Sequence, residues 1–331
     1  MAVEYREFVT GDAEELMQVW GAPDSVFSAR FRSELVPSGD SPWIRSLVAT
    51  DDGVPIAAGV IYTNAIHPGR YPAYVEVWSE RRRESIGSAL LAELQALAAG
   101  GPSGALGLTA KLAEGSAAVP FAAARGFDVV QKSWVYVLAP SSMPQPQITE
   151  GDGPQLEEAL LGSVELTALV QKFYNAVHAS WSPSDISVGQ AQGLFLGEAS
   201  GAKGGIVYRD APASEGGKIQ AFAISYERAP KSLDLLADAD AVDALEGGAD
   251  AVQPADLFVG YDPDLSDADA ETALSALLAL VSYKDPVQIE VDEAMTPFMS
   301  IVDRLNAVGA LTPADATCLI VASSGSAGGP S

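Results

Sequence analysis

At 331 residues the chain is long enough for two domains, each with its own hydrophobic core. Its formal net charge of −25 argues against nucleic acid and anionic membrane surfaces. The acidity fits either a cationic partner or simple solubility of an Ala-rich, Lys-poor chain, and it is uneven: residues 1–140 hold 11 Lys/Arg and 16 Asp/Glu, residues 141–331 hold 8 and 28.

No apolar run approaches the ~18–20 residues of a membrane span, and no basic-then-apolar leader is visible. A cytoplasmic protein is therefore expected. The single Cys318 lies in an apolar run and reads as a buried strand residue. His67 and His178 have no Cys or ligand-spaced acids near them in sequence, so no metal site is expected.

In chain order, Val3 to Phe8 alternates like a strand, and Thr10-Gly11-Asp12 opens a helix running to about Trp20. Residues 24–35 read as a second short helix. Trp43 to Thr50 and Ile56 to Tyr62 are strands joined through Asp51-Asp52-Gly53, a hairpin signal. Val75 to Leu94 then reads as a strand, a tight turn, and a helix with Ile86, Leu90, Leu91 and Leu94 at helical spacing. Such a turn exposes free N–H groups and the positive end of the helix dipole, and here it also carries Arg81, Arg82 and Arg83. Leu106 to Leu112 is a strand, Ser116 to Arg125 a helix stopped by Gly126, and Val129 to Leu138 the last strand region.

The segment Arg82-Arg83-Glu84-Ser85-Ile86-Gly87, followed by Ser88-Ala89-Leu90-Leu91, resembles the pyrophosphate loop of the GNAT superfamily of acyl-CoA N-acyltransferases, Arg/Gln-x-x-Gly-x-Gly/Ala. The order of elements over residues 1–140 matches that fold, with Arg125-Gly126-Phe127 in place of the family's frequent Gly-Phe. The resemblance implies an α/β (α+β) fold with a mixed, splayed sheet flanked by helices. It implies acetyl-CoA as co-substrate, held by Val75, Val77 and the loop Arg82, Arg83, Glu84, Ser85, Ile86, Gly87 and Ser88. It makes Glu76 the expected base, with Tyr74 two residues earlier on the same strand face. Two positions depart from the pattern: Ser85 replaces the first glycine, and Ala122 stands where the family usually has a Tyr.

After the linker-like Ala139-Pro140-Ser141-Ser142-Met143-Pro144 the pattern restarts. Glu150 to Leu156 echoes Thr10 to Leu16, Glu215 to Ala221 echoes Asp52 to Ala58, Val287 to Val291 repeats the Leu106 strand, and Val308-Gly309-Ala310 repeats the Gly126 turn. Two tandem GNAT-like units are expected: residues 1–140, a linker at 141–145, a second unit at 146–323 with an acidic insertion at 229–256, and a loose tail at 324–331. Pairing Ser88-Ala89-Leu90 with Thr272-Ala273-Leu274 sets Glu271 opposite Gly87. The second loop, Pro263 to Glu271, has four carboxylates, no glycine and no basic residue, so CoA is expected in the first unit only. The acids of that loop also read simply as helix caps.

The expected activity is N-acetylation of a small-molecule or peptide amine, possibly a cationic one, with no nucleic acid or membrane partner. Ser85 and Ala122 keep open a non-catalytic GNAT-like scaffold. A mycothiol-synthase-like enzyme shares the tandem form, but that family keeps its working loop in the second unit. The sequence does not set the oligomeric state.

Overall fold

The computed structural model describes residues 3–23, 26–102, 107–146, 153–227 and 253–324. The acidic insertion, except for its last residues, and nearly all of the tail lie outside the described residues. The chain forms two compact units. Of the described residues, those up to Val130 and those from Leu319 to Ser324 form the first, and those from Gln131 to Cys318 form the second.

In the first unit, β1 (Glu4–Glu7), β3 (Trp43–Asp51), β4 (Val54–Tyr62), β5 (Tyr71–Val77), β6 (Leu108–Ala113) and β14 (Cys318–Ser323) lie side by side in that order, with β2 (Gly39–Asp40) on β3. The β3–β4 hairpin turns on Asp52 and Gly53, at φ 49° and 84°, as the Asp-Gly pair demands. Helices α1 (Asp12–Trp20), α2 (Val26–Ser33), α3 (Ile86–Ala99) and α4 (Ala118–Ala123) flank the sheet. Leu90 and Leu94 of α3 are fully buried. Gly59 lets α3 approach this closely, because a Cβ there would stand 2.8 Å from Leu94 Cδ1. The strand at 318–323 is tied to β6 by the Leu108 N–H on Ser323 Oγ (2.9 Å) and Thr109 Oγ1 on the Val321 carbonyl (3.0 Å). Cys318 opens this strand and is buried.

The second unit repeats the plan with β8 (Gln155–Ala159), β9 (Ala202–Arg209), β10 (Ile219–Tyr226), β11 (Ala255–Tyr261) and β12 (Val287–Asp292), then the greater part of β7 (Phe127–Leu138), on which β13 (Leu311–Pro313) also pairs. Helices α5 (Val164–His178), α7 (Asp267–Val281) and α8 (Thr296–Ala307) cover it, and α6 (Val188–Ala191) is a single turn. Phe173, Phe222 and Phe298 are the largest fully buried side chains.

Register makes the internal repeat explicit. Tyr71 and Pro72 pair in parallel with Leu108 and Thr109, and Ala255 and Asp256 pair in the same way with Val287 and Gln288. Gly126 and Gly309 close the following helices with φ 75° and 68°. Two of the echoes need correction. Gln155 and Leu156 lie on a strand that pairs as β1 does, so they do not match the Thr10 helix start. Ala57 opposite Val77 corresponds to Ala221 opposite Tyr261, one residue away from the equivalence with Ala58.

The 141–145 segment is also no loose linker. The Ser141 N–H donates to the Ser282 carbonyl (3.0 Å), Gln145 Nε2 donates to the Ala279 carbonyl (2.9 Å), and Met143 is buried. Pro and Ser mark the turn there, but contact density changes ten residues earlier, within β7. Composition reports local chain stiffness, not where long-range packing changes hands.

Candidate active site

The β5–β6 pairing ends at Pro72 and Thr109, and beyond it the two strands part. The wedge between them is a cavity of 390 Å³ lined by Ala73, Tyr74 and Val75 on β5, by Ala110 to Ala113 on β6, and by parts of α2 and α4. No described lining residue carries a carboxylate; the one charge is the exposed Lys111.

The turn after β5 is built by its arginines. Arg81 Nη1 meets Asp51 Oδ2 at 2.5 Å and its Nε meets Glu84 Oε2 at 3.0 Å, which fixes the loop to the β3–β4 hairpin. Arg82 Nε donates to the Val77 carbonyl at 3.1 Å, and Arg82 and Arg83 are both exposed. Arg83 and Ser85 are left-handed, at φ 72° and 65°. Ser85 therefore holds the conformation that favours glycine, at a cost of roughly 1–2 kcal/mol. It gives α3 no side-chain cap. The first N–H groups of α3, at Ile86 and Gly87, thus point forward with no acceptor inside the helix, as an anion site requires. A Cβ on Gly87 would lie 3.2 Å from Val77 Cγ2 and 3.6 Å from the Phe121 ring.

Arg125, not singled out by sequence, adds charge here. Its guanidinium sits 3.7 Å over the Phe121 ring, and Nη2 donates to Ser88 Oγ in the first turn of α3. Only the tertiary fold brings residue 125 to residue 88.

In the second unit the helix begins three residues earlier, at Asp267, so that Ala270, in the place of Ile86, donates its N–H to the Ser266 carbonyl at 2.9 Å. Ser266 is extended (φ −64°, ψ 153°); its Oγ accepts the Asp269 N–H at 3.2 Å and donates to the Asp269 carboxylate at 2.7 Å. Glu271, in the place of Gly87, is paired with Arg304, in the place of Phe121. The cap is Ser266 and not one of the loop acids, and the N–H that lies open at Ile86 is bonded within the helix here.

Tyr74 and Glu76 are held in a buried trio. Arg32, on α2, grips Glu76 with Nη2 to Oε1 at 2.6 Å and Nε to Oε2 at 2.9 Å; Tyr74 donates to Oε2 at 2.5 Å. The Arg32 and Glu76 side chains are only 12% and 13% exposed. Burial, then the Glu76 charge, pushes the Tyr74 hydroxyl far above its ordinary range, so it stays protonated as a donor. Phe31 stacks on Tyr74 with ring centroids 5.3 Å apart. Both Glu76 oxygens are therefore engaged, and the carboxylate holds α2 to β5. Sequence placed Tyr74 beside Glu76 but had no signal for Arg32, 44 residues away.

Ala122, at the position of the expected Tyr, lines the cavity and is buried. Ser116 lines it too, and its buried Oγ has no hydrogen-bond partner among the described residues. An orphaned buried hydroxyl costs ~1–3 kcal/mol unless a ligand completes it. Ser116→Ala is thus expected to raise the melting temperature of the empty protein, checked by differential scanning calorimetry. A variant no more stable than the natural chain would show that the hydroxyl meets water.

Among the described residues, no helix is long and apolar enough to cross a membrane, and no group of His, Cys, Asp and Glu could hold a metal ion. His178 ends α5 with Nδ1 2.8 Å from the Tyr174 carbonyl.

A parallel strand pair that parts into a wedge, connected through a turn and a helix, is the plan of the GNAT fold, and this chain carries it twice, with the helix start uncapped in the first unit and capped in the second. It is a tandem GNAT-fold protein, and solved structures agree. A GCN5-related N-acetyltransferase from Sphaerobacter thermophilus superposes with a TM-score of 0.58 at 12% identity, covering 96% of this chain and 94% of that one. A tandem GNAT protein from the clavulanic acid biosynthesis pathway gives 0.51 at 14%, covering 100% of both. A probable N-acyltransferase from Enterococcus faecalis V583 gives 0.50 at 12%, covering 97% and 72%. No protein-family model and no curated protein matches the sequence. At such identities the likeness is one of fold, and chemistry has to be argued from the site.

Proposed function

We propose that this protein is an acyl-CoA-dependent N-acyltransferase that binds its donor in the first unit alone. The observation that carries this reading is the contrast between the two helix starts. Ser85 leaves the first N–H groups of α3 open, whereas α7 starts three residues earlier, is capped by Ser266 at the Asp269 N–H, and binds the Ala270 N–H, the counterpart of Ile86, to the Ser266 carbonyl. The donor's pyrophosphate meets the turn at 82–88, with Arg82, Arg83 and Arg125 supplying positive charge. The donor's arm lies along Val75–Val77, on the stretch of β5 beyond its last pair with β6.

In the reaction the neutral amine nitrogen attacks the thioester carbon, the C–S bond breaks, and the thiolate leaves. The nitrogen's proton passes to water or to the thiolate, because neither Ala122 nor the paired Glu76 is placed to take part without rearrangement. The acceptor is a small-molecule or peptide amine. The chain's acidity does not line the cavity, so it gives no support to a cationic one. A cytoplasmic setting suits the lone buried Cys318. The left-handed Ser85 removes one of the two grounds for a non-catalytic scaffold; Ala122 is the other. The mycothiol-synthase-like reading gains nothing, because it needs the second loop open.

Calorimetry with CoA is expected to give one site per chain, and thiol release with a panel of amines is expected to show turnover. Two equal sites would refute the single-unit reading. Firm binding without turnover on any amine would establish the scaffold.

A further inference from the structure

The same wedge exists in both units, and the register allows its walls to be compared residue by residue. Ala73 corresponds to Leu257 and Ala110 to Ile289, from the shared parallel pairs. Ala122 corresponds to Leu305 and Ala118 to Ile301, counted back from Gly126 and Gly309. All four branched side chains of the second unit are buried in its core. In the first unit alanines stand in their place, and all four line the 390 Å³ cavity. Phe127 against Ala310 and Leu91 against Ser275 return only part of that volume.

A heavy atom with its hydrogens takes up about the 30 Å³ of a liquid water molecule. The cavity therefore holds on the order of a dozen such atoms, shared between the end of the donor's arm beside Val75 and the acyl group, which leaves room for more than the three heavy atoms of an acetyl group. Its wall is mostly apolar and carries no carboxylate, with Ser28, Tyr74, Lys111 and Ser116 as its polar members, so its alanine-lined part suits hydrocarbon. We infer that the first unit takes acyl-CoA donors with an aliphatic acyl group longer than acetyl, of about four carbons, and that Ala122 and Ala110 set the chain length. This rests on the donor site proposed above and specifies its substrate class.

Binding can be measured without knowing the acceptor. Calorimetry on the full chain with CoA, acetyl-CoA, butyryl-CoA and hexanoyl-CoA is expected to show butyryl-CoA binding about fifteenfold tighter than acetyl-CoA, since it buries two more methylenes and each is worth roughly fourfold. Ala122→Leu restores the side chain of the second unit. It is expected to abolish that gain while leaving CoA itself bound within about threefold. Ala110→Ile does the same from the opposite wall and stands in if Ala122→Leu does not fold. Butyryl-CoA binding no tighter than acetyl-CoA in the natural chain would overturn the inference, as would a gain that survives in both variants. Failure of CoA itself to bind would instead remove the donor site on which it rests.

Discussion

Replacing Gly87 with Glu is expected to reduce CoA binding at least ~100-fold, below detection by calorimetry, with the fold retained. Two effects act together, and their sizes differ. An acidic side chain in the first turn of α3 is normally favourable to the helix dipole, but next to a bound pyrophosphate it is a like charge, and such helix-end interactions are worth only ~0.3–1 kcal/mol. That is less than tenfold. The larger effect is steric: a Cβ at this position already crowds Val77 at 3.2 Å, and the rest of the side chain occupies the space where a phosphate must meet backbone N–H. Gly87→Ala should therefore lose a substantial part of the affinity without any charge. The second unit shows how the fold tolerates Glu here, with Arg304 in place of Phe121. Combining Gly87→Glu with Phe121→Arg is expected to recover thermal stability and leave binding lost. Binding that persists in Gly87→Glu would mean that the phosphates sit elsewhere.

Glu76→Gln is expected to destabilise the first unit by about 3–5 kcal/mol, because it leaves the buried Arg32 guanidinium without its counter-charge. It should also lower turnover, so the single variant cannot separate a base from a strut. The double change Arg32→Gln with Glu76→Gln can. If Glu76 only holds α2 against β5, the double variant recovers the melting temperature, and its kcat returns to within about tenfold of the natural chain. If Glu76 is the base suggested by resemblance, stability returns but kcat stays down by roughly 10²-fold or more. The paired geometry favours the first outcome. In both cases the rate should rise with pH as the amine loses its proton. Tyr74 imposes no alkaline fall over that range, since its hydroxyl titrates far above its ordinary value. A rate that falls with rising pH would show that a protonated side chain is essential.

What the sequence determined by itself is local. The Asp52-Gly53 hairpin, the strand–turn–helix from Val75 to Leu94, and the glycine stops at 126 and 309 each follow from a few adjacent residues. Backbone conformation and helix-end chemistry are short-range, so they can be read from neighbours along the chain. Even the fate of Ser85 is a local matter, because a short polar side chain can hold a left-handed turn at modest cost. The tertiary structure alone decided what depends on contacts between distant residues. Arg32 finds Glu76, and Arg125 finds Ser88; the strand after Gln131 joins the second unit's sheet, and the strand after Leu319 joins the first. The cavity was equally hidden: an alanine in a helix or strand reads as filler until the facing walls are brought together. Side-chain pairing and empty volume are properties of packing, and packing is set by many distant residues at once.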